Sequence, residues 1–441
     1  MVKMRVENHL ILHNNAQIAV VGGGPTGSFF SIFALKMAKM MEKSVHVTIY
    51  EPKDFTKDGP VGCNKCGGII SELLVQNLAV EGINLPDSVV QRGINSYKLH
   101  TQYGNVYIET PSKEKTIATV YRGEGPRGII GSEKESFDRF LLDLAIQEGA
   151  VHNHEKVDRI EYRNNRPVLF SKDKMMQEPD LVVGALGVKS QTFRIFEDMG
   201  FGYRKPETVT AAIAEIWMDK NTISEYFGTS VNLFLLPVKD IKFAAIIPKG
   251  TYVTVCILGK NIDQNTINAF IDHPVVQSAL PGKGAYEIAC RCLPKMNIRA
   301  PEVAFADRVV LCGDAGSTRL FKDGLGAAYI MGKAVAKTAI FHGISKNHFR
   351  DHYQPVYKSI VVDNQYGKFL FAVTDLHKRY KTLTNGMLRV VRKEQGDPAY
   401  PKRLSSMLWD MFTGNERYRN IFFRSMSFQL VYDLCREYGK S

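Results

Sequence analysis

The stretch QIAVVGGGPTG, residues 17–27, decides the fold. Its first five residues form an apolar run that predicts a β-strand. The segment from Ser28 to Lys43 is rich in Ala, Met, Phe and Lys and predicts a helix, and a second β-run follows from Val45 to Tyr50. The chain therefore opens with a strand-helix-strand unit, which is typical of a parallel α/β domain.

The turn between the first strand and the helix carries the pattern G-x-G-x-x-G. Glycines at this position let the turn tighten and let backbone N–H groups approach a pyrophosphate, whose charge the helix N-terminus stabilises. Glu51 ends the second strand, 24 residues after the last glycine, where a carboxylate accepts hydrogen bonds from a ribose diol. The pattern predicts a dinucleotide site that includes Gly22, Gly24, Pro25, Thr26, Gly27 and Glu51.

A second motif lies about 290 residues further on, in the stretch DRVVLCGDAG, residues 307–316. This stretch resembles the second fingerprint of the large flavoprotein group that includes aromatic hydroxylases and geranylgeranyl reductases. The resemblance implies FAD as the cofactor, with Asp314 binding its ribityl or pyrophosphate part. It also implies that a following helix points its N-terminus at the flavin N1/C2 carbonyl. The residues implied here are Gly313, Asp314, Gly324, Leu325 and Gly326.

The stretch GCNKCGGIIS, residues 62–71, resembles the Cys-Gly-Gly loop of the geranylgeranyl reductase branch. In that branch the cysteine, here Cys66, lies beside the flavin ring, which makes Cys66 the candidate catalytic residue. The stretch FAAIIPKG, residues 243–250, is similar to the substrate-sheet motif of the branch but lacks its tryptophan. The resemblance implies reduction of carbon-carbon double bonds in an isoprenoid or other hydrophobic substrate, with NAD(P)H or ferredoxin as electron donor. Such a reduction needs a proton as well as a hydride, and no unmistakable acid stands out.

Four segments are predicted. Residues 1–205 and 301–345 form the two parts of a Rossmann-like FAD-binding domain. Between them, residues 206–300 contain short β-runs separated by turns, which predict an inserted antiparallel substrate domain. Residues 346–441 alternate aromatic and basic residues in helix-compatible segments, broken near Gly396, and predict a helical C-terminal region. The expected fold class is α/β.

Basic residues before the predicted helix from Ser136 to Glu148 are candidates for phosphate or flavin contacts. Arg127 is assigned to the cofactor site, and Arg122 is a candidate for it or for a solvent-facing loop. Lys134 stands where many relatives carry an arginine, and lysine lacks the planar fork of that side chain.

The cysteines leave several interpretations open. Cys63 and Cys66 are spaced C-x2-C, and Cys290 and Cys292 are spaced C-x-C. Four thiolates could bind a metal if the two loops meet, and a Cys63/Cys66 pair could exchange electrons with flavin. Two other interpretations remain: the loop cysteines are unreactive, or Cys66 lies beside the flavin and shapes the substrate site. We predict no metal site.

Composition limits the protein's location and partners. Of 441 residues 44% are hydrophobic and 23% charged, and no apolar stretch reaches the roughly 20 residues of a membrane span. Seven cysteines do not suggest a disulfide framework, so a cytoplasmic location is expected. No nucleic-acid motif is present. From residue 350 onward, 16 Lys or Arg stand against 9 Asp or Glu. Aromatic stretches in this tail, Phe369–Phe371 and Leu408–Phe412, predict either core helix contacts or peripheral contact at the inner face of a membrane.

Three other functions remain possible from the sequence. The first is an NAD(P)H-dependent flavin monooxygenase, which Leu186 disfavours because that group usually has an acid at this position. The second is an electron-transfer flavoprotein that delivers electrons to a membrane quinone, although Cys435 is the one cysteine in the C-terminal region and cannot supply a four-cysteine cluster. The third is an FAD-binding protein without catalytic activity.

Overall fold

The computed structural model describes residues 10–64, 66–112, 116–123, 125–126, 135–188, 192–282 and 284–439. The strands in this part of the chain are β1 (Ala16–Val21), β2 (Val45–Tyr50), β3 (Ile69–Ile70), β4 (Val90–Ile94), β5 (Ser96–Thr101), β6 (Gly104–Glu109), β7 (Ile117–Val120), β8 (Val151–Asn153), β9 (Arg159–Arg163), β10 (Arg166–Ser171), β11 (Lys174–Gln177), β12 (Leu181–Gly184), β13 (Glu207–Thr210), β14 (Ala212–Trp217), β15 (Ser230–Leu235), β16 (Ile241–Pro248), β17 (Tyr252–Gly259), β18 (Glu287–Cys292), β19 (Lys295–Arg299), β20 (Phe305–Ala306) and β21 (Val309–Leu311).

The α-helices are α1 (Pro25–Met40), α2 (Glu72–Val80), α3 (Phe137–Gln147), α4 (Phe193–Glu197), α5 (Lys220–Tyr226), α6 (Gln264–Ile271), α7 (Pro274–Gln277), α8 (Gly324–Lys337), α9 (Lys346–His348), α10 (Gln354–Arg379), α11 (Lys381–Gly396), α12 (Arg403–Thr413), α13 (Tyr418–Ser425) and α14 (Phe428–Tyr438). Two π-helical turns, Thr338–His342 and Phe349–Tyr353, continue α8 and precede α10. Short 3-10 turns occur at Gly59–Val61 and Gly313–Ala315.

A six-stranded sheet in the order β20-β21-β12-β1-β2-β8 forms the centre of the nucleotide-binding part. The neighbours β21, β12, β1, β2 and β8 pair in parallel, and β20 runs antiparallel to β21. Because the strands are parallel, the turns at their carboxyl ends, after Val21, Tyr50, Gly184 and Leu311, lie along one edge. The predicted parallel α/β sheet is therefore confirmed.

Alternation of side chains along β1 places Ile18 and Val20 on one face of this sheet and Ala19 and Val21 on the other. The first pair belongs to a buried cluster with residues of α1, α3 and α8. The second pair packs with residues of β9, β10 and α4. Helices α1 and α8 approach each other closely at Gly332. A Cβ atom on this glycine would lie only 3.0 Å from the backbone nitrogen of Phe30.

A seven-stranded sheet in the order β18-β14-β17-β16-β15-β5-β6 forms the second layer. Residues 206–300 supply five of its strands, but β5 and β6 come from residues 96–109, so the sheet extends beyond the predicted substrate segment. It is also mixed rather than wholly antiparallel, because β15 and β5 pair in parallel, with Ser230 opposite Ser96. One face packs against α5–α7, and the other faces the C-terminal helices and the nucleotide-binding part.

The chain from Lys346 onward consists of helices α9 to α14 and one π-helical turn in the described residues. Among the aromatic stretches of uncertain role, Trp409 is fully buried and its ring lies 5.0 Å from that of Tyr97. Phe371 is also buried and stacks on Phe243 at 5.5 Å, whereas Phe369 is exposed. Most of these residues are therefore core contacts. Within the described residues, no helix combines the length and apolar character that a membrane span requires.

Candidate functional site

The three glycines of the G-x-G-x-x-G pattern have different surroundings. Gly22 has a φ of +110°, and a Cβ atom there would lie 2.5 Å from the carbonyl oxygen of Ala185. A Cβ on Gly27 would overlap the carbonyl oxygen of Gly22. Gly24, the N-cap of α1, has an extended backbone, and a Cβ there would meet no atom within 4 Å. The fold requires Gly22 and Gly27, whereas Gly24 leaves open space at the N-terminus of α1, where Pro25 occupies the first turn.

Glu51 lies at the end of β2, beside this turn. Its Oε2 accepts a hydrogen bond from the N–H of Gly23 at 3.0 Å, and its Oε1 accepts one from the N–H of Lys53 at 2.9 Å. A carboxylate has about four acceptor sites in total. The two backbone contacts therefore fix the side chain while leaving acceptor capacity for two hydroxyl groups.

The second fingerprint lies directly against the first. Gly313 has a φ of +62°, and a Cβ atom there would overlap the side chain of Thr26 in α1. Asp314 follows in the 3-10 turn after β21, where it is half-buried. Burial raises the pKa of Asp314 to about 6, while the positive charge of Arg122 and a hydrogen bond from Thr318 act in the opposite direction. The two motifs thus form one site, although 287 residues separate Thr26 from Gly313.

The N-terminus of α8 carries the three remaining predicted residues, Gly324, Leu325 and Gly326. Gly324 is exposed at the first position and Leu325 is buried. The N–H of Gly326 is donated to the carboxylate of Asp323 at 3.2 Å, and a Cβ on Gly326 would overlap that carboxylate. Because Asp323 caps this amide, Gly326 does not offer it to a ligand.

C-terminal helices hold the segment that precedes α8. The guanidinium of Arg319 donates to the carboxylate of Asp323 and to the carbonyl oxygen of Gly414, each at 2.7 Å. Lys322 donates to the carbonyl oxygen of Asp410 at 2.8 Å. Asn364 of α10 makes two further hydrogen bonds to this segment's backbone. The C-terminal region therefore positions part of the predicted nucleotide site.

Arg122 is buried in a charged pair rather than exposed on a loop. Its guanidinium donates to both oxygens of Asp138, at 2.5 and 2.8 Å, and Asp138 also accepts a hydrogen bond from Asn64 at 2.7 Å. Burial alone would lower the pKa of Arg122, but the Asp138 carboxylate raises it above its ordinary value. Arg127 and Lys134 lie outside the described residues, so their predicted contacts stay predictions.

The Cys66 loop lies on the face of the seven-stranded sheet that is directed toward the C-terminal helices and the nucleotide-binding part, which we call the inner face. A Cβ on Gly67 would lie 3.1 Å from Cδ1 of Ile247 in β16. A Cβ on Gly68, whose φ is +68°, would lie 2.5 Å from Nζ of Lys249. The N–H of Gly68 points to Sγ of Cys66 at 3.5 Å, so the loop turns around the half-buried thiol.

Two buried ionisable side chains lie on the sheet next to this loop. Glu215 in β14 accepts a hydrogen bond from Oγ1 of Thr254 at 2.7 Å. Burial raises the pKa of Glu215 to about 7, although the nearby positive charge of Lys249 and the Thr254 bond oppose this. Lys249 donates to the carbonyl oxygen of Val120 at 2.7 Å, and burial lowers its pKa. A carboxyl group that holds a proton near neutral pH therefore lies on the same face as Cys66.

Further cysteines share this face. Burial raises the pKa of the thiols of Cys256 and Cys290 to about 12, and nearby Cys66 and Cys63 contribute to the respective increases. Cys63 of the C-x2-C motif therefore lies near enough to Cys290 of the C-x-C motif to influence the pKa of its thiol. In the described ranges, no group of three or more His, Cys, Asp or Glu is arranged to bind a metal ion.

Sequence reasoning missed Glu215, Lys249 and Asp138. Glu215 did leave a signal, because it is the one charged residue in the apolar β-run from Ala211 to Met218. A charge in such a run is buried only at a cost unless it is paired or neutralised. Asp138 left no comparable signal, since its position near a helix start is typical of an exposed acidic residue.

The described residues suit a dinucleotide cofactor. The free space at Gly24 is the cradle that a pyrophosphate requires, because a side chain there would fill it. Glu51 lies where it could bind a ribose, and Asp314 follows β21 at the same edge of the six-stranded sheet. The positive charge of Arg122 lies near enough to lower the pKa of Asp314.

No protein-family model and no curated protein sequence matches the chain. Solved structures do match. A geranylgeranyl bacteriochlorophyll reductase-like protein from Thermoplasma acidophilum superimposes with a TM-score of 0.64 at 14% identity, over 97% of this chain and 100% of that chain. A p-nitrophenol 4-monooxygenase from Pseudomonas putida matches with a TM-score of 0.57 at 13% identity, over 96% and 99%. A halogenase in complex with phloroglucinol and FAD matches with a TM-score of 0.62 at 11% identity, over 96% of each chain.

The chain thus has the fold of the flavoprotein group that contains these reductases, monooxygenases and halogenases. This confirms, at the level of the fold, the resemblance inferred from the two fingerprints. At such low sequence identity the three neighbours do not distinguish among their reactions.

Proposed function

We propose that the protein is an FAD-dependent oxidoreductase. Gly24 and the N-terminus of α1 would bind the pyrophosphate, Glu51 the adenosine ribose, and Asp314 the ribityl or pyrophosphate part of the cofactor. One observation carries this proposal. Gly24, the middle glycine of the G-x-G-x-x-G pattern, leaves space for a ligand, whereas backbone atoms fill the space at Gly22 and Gly27. The FAD complex of a halogenase with the same fold supports it.

The reaction we propose is reduction of a carbon-carbon double bond in an isoprenoid or other lipid-like substrate. FAD held by these residues would, once reduced by two electrons, supply a hydride for one carbon of the double bond. The other carbon then needs a proton, and Glu215 is able to hold one near neutral pH. The hydroxyl group of Thr254 donates a hydrogen bond that orients the Glu215 carboxyl. Cys66, on the same face of the sheet, would shape the site or take part in proton delivery.

The apolar surroundings support a hydrophobic substrate. Beside the Cys66 loop, the inner sheet face continues into an aromatic cluster in which Phe243 stacks on Phe371 and contacts Phe412 at 5.5 Å. Phe321, which lies just before α8, packs edge-on against Phe371 at 5.1 Å. Phe243, Phe371 and Phe412 are buried, so the layer that they form next to the Cys66 loop is apolar and offers no hydrogen bonds to a polar substrate.

The electron donor would be NAD(P)H or a ferredoxin, and the low cysteine content, seven in 441 residues, supports a cytoplasmic location. Leu186, where related hydroxylases carry an acid, is buried at the end of β12 beside Gly22. A side chain without charge at this place favours a reductase over an NAD(P)H-dependent monooxygenase.

The test is anaerobic reduction of the purified holoprotein with NADPH, NADH or reduced ferredoxin, followed by addition of polyprenyl lipids. Flavin reoxidation together with product heavier by two hydrogen atoms supports double-bond reduction. Oxygen consumption that depends on an aromatic substrate would replace this proposal with a monooxygenase. Transfer of electrons to a quinone without lipid reduction would indicate an electron-transfer flavoprotein, and failure of every donor and acceptor would indicate a catalytically silent protein.

A further inference from the structure

The last two helices expose apolar side chains that no other element covers in the described structure. Five residues of α13, α14 and their connection are between 45% and 84% exposed, and we call them the apolar ridge: Phe423, Met426, Phe428, Val431 and Tyr432. In α14, Phe428, Val431 and Tyr432 are spaced i, i+3, i+4 and therefore lie on one side of the helix. Leu430 is the buried residue of that helix, so the ridge points away from the protein.

A basic cavity opens beside the ridge. It has a volume of about 390 Å³ and is lined by Lys402, Arg403, Ser406, Met407, Arg424 and Ser427. Ser427 is the N-cap of α14 and makes no side-chain capping bond, so its hydroxyl group and the positive end of an 11-residue helix border the cavity. Ser427 also lies between Met426 and Phe428, the two most exposed ridge residues. The anion-binding groups and the apolar side chains therefore meet at one place.

Acidic residues behind the cavity balance only part of its charge. Arg424 forms an ion pair with Asp410 at 2.6 Å, and Arg403 lies 4.0 Å from Asp433. Three cations thus stand against two carboxylates, and exposed Arg417 and Arg419 add charge close to the ridge in the chain. A surface of this kind complements an anionic phosphate that carries an apolar tail, because charge and hydrocarbon are then satisfied together.

We propose that this face docks on an anionic phospholipid bilayer, with a lipid phosphate in the basic cavity and the apolar ridge at the boundary between headgroups and acyl chains. The ridge replaces most of the predicted interface residues, since Phe371, Trp409 and Phe412 belong to the core. The proposal does not depend on the proposed flavin chemistry, because the face lies in the C-terminal helices and can be assayed without turnover.

The experiment is co-sedimentation of the purified full chain with phosphatidylcholine vesicles that contain about 30% phosphatidylglycerol, compared with pure phosphatidylcholine, at about 50 and 500 mM NaCl. We expect binding to the anionic vesicles at low salt and at least about tenfold weaker binding with neutral vesicles or at high salt. Equal binding to both vesicle types, or no binding to either, would overturn the proposal.

Matched variants locate the contact. Phe428→Asp should weaken vesicle binding at least about tenfold, whereas Val80→Asp, on α2 and also 84% exposed, should leave it unchanged. The double variant Lys402→Glu, Arg403→Glu should lose the preference for anionic lipid, with Lys174→Glu as the control on an exposed lysine elsewhere. Tyr432→Asp repeats the ridge test should Phe428→Asp fail to fold. Equal effects of test and control variants would refute the assignment.

Two further measurements exclude other occupants. If inorganic phosphate stabilises the protein against heat but vesicles do not bind, the cavity is a site for free phosphate and the bilayer proposal fails. Light scattering without vesicles identifies a second copy of the chain as the occupant if the parent is a dimer and Phe428→Asp is a monomer. A parent that stays monomeric in solution and binds vesicles supports the proposal.

Discussion

Replacing Gly24 with valine should separate cofactor binding from folding. The Gly24 backbone is extended, with φ −66° and ψ −176°, a conformation that valine adopts readily, and its Cβ would meet no protein atom within 4 Å. Losing glycine at the N-cap should lower the free energy of unfolding by about 1 kcal/mol. Valine also restricts the unfolded chain, which should raise the free energy of unfolding by about 0.4–1 kcal/mol. The free energy of unfolding should therefore change by less than about 1 kcal/mol.

The effect on FAD should be far larger. A side chain at position 24 occupies the space in which a pyrophosphate would accept hydrogen bonds from the α1 N-terminus. Hydrogen bonds to charged groups contribute about 1.5–3 kcal/mol each, so losing two of them costs about 3–6 kcal/mol. At about 1.4 kcal/mol per factor of ten, the dissociation constant should rise about 10²- to 10⁴-fold.

The assay is fluorescence titration of the apoprotein with FAD, together with urea unfolding of each variant. Gly396→Val is the matched control, because a Cβ there also meets nothing within 4 Å and the residue lies at the end of α11. Gly27→Ala should instead lose stability, since its Cβ would overlap the carbonyl oxygen of Gly22. A folded Gly24→Val protein that binds FAD within threefold of the parent would refute the reasoning.

Three more predictions concern the site. Cys66→Ser should keep FAD but change turnover or substrate choice, whereas the exposed Cys435→Ser should change neither; loss of flavin from the first variant would contradict this. Glu215 has a folded-state pKa of about 7, above its ordinary value of 4.5. Its raised pKa should therefore leave the free energy of unfolding unchanged below pH 4.5 and lower it progressively between pH 4.5 and pH 7. Between pH 4.5 and pH 7, the free energy of unfolding of Glu215→Gln, measured with urea, should therefore rise by about 3 kcal/mol relative to that of the parent. If the free energies of unfolding of the two proteins change with pH in the same way, the assignment is wrong. Asp138→Asn should lower the free energy of unfolding by about 3–5 kcal/mol because it leaves a buried arginine without its partner. Asp143→Asn should lower it by less than about 1 kcal/mol, because the side chains of the Arg139–Asp143 pair are 39% and 33% exposed.

The sequence predicted the elements whose signal is local. The strand expected at residues 17–21 is Ala16–Val21, and the helix expected from Ser28 to Lys43 is Pro25–Met40. The helix starts earlier than expected because Gly24 is its N-cap and Pro25 occupies its first turn, so both residues belong to the helix start as well as to the nucleotide motif. Periodicity and glycine spacing determine such features within a few residues of chain.

Features that depend on distant partners could not be predicted in the same way. The parallel pairing of β5 with β15 joins residues more than 130 positions apart, and no local pattern encodes that register. Arg122 likewise could be read either as a ligand contact or as a surface residue, because Asp138 becomes its partner only in the fold. The exposed ridge was missed for a related reason, since amphipathic spacing does not tell which neighbour covers the apolar side.

The contact between Thr26 and Gly313 has a consequence for how the chain folds during synthesis. The first glycine turn leaves the ribosome early, but the residue that packs against its Thr26 follows 287 positions later. At about 5–20 residues per second this delay is about 15–60 seconds, which is long compared with helix or hairpin formation. During that interval β12 can pair with β1, while the edge of β12 that will receive β21 stays open to other strands. Completion of the nucleotide-binding sheet is therefore a late event with high contact order, and nascent chains that stall before residue 309 should be the ones that most need chaperones.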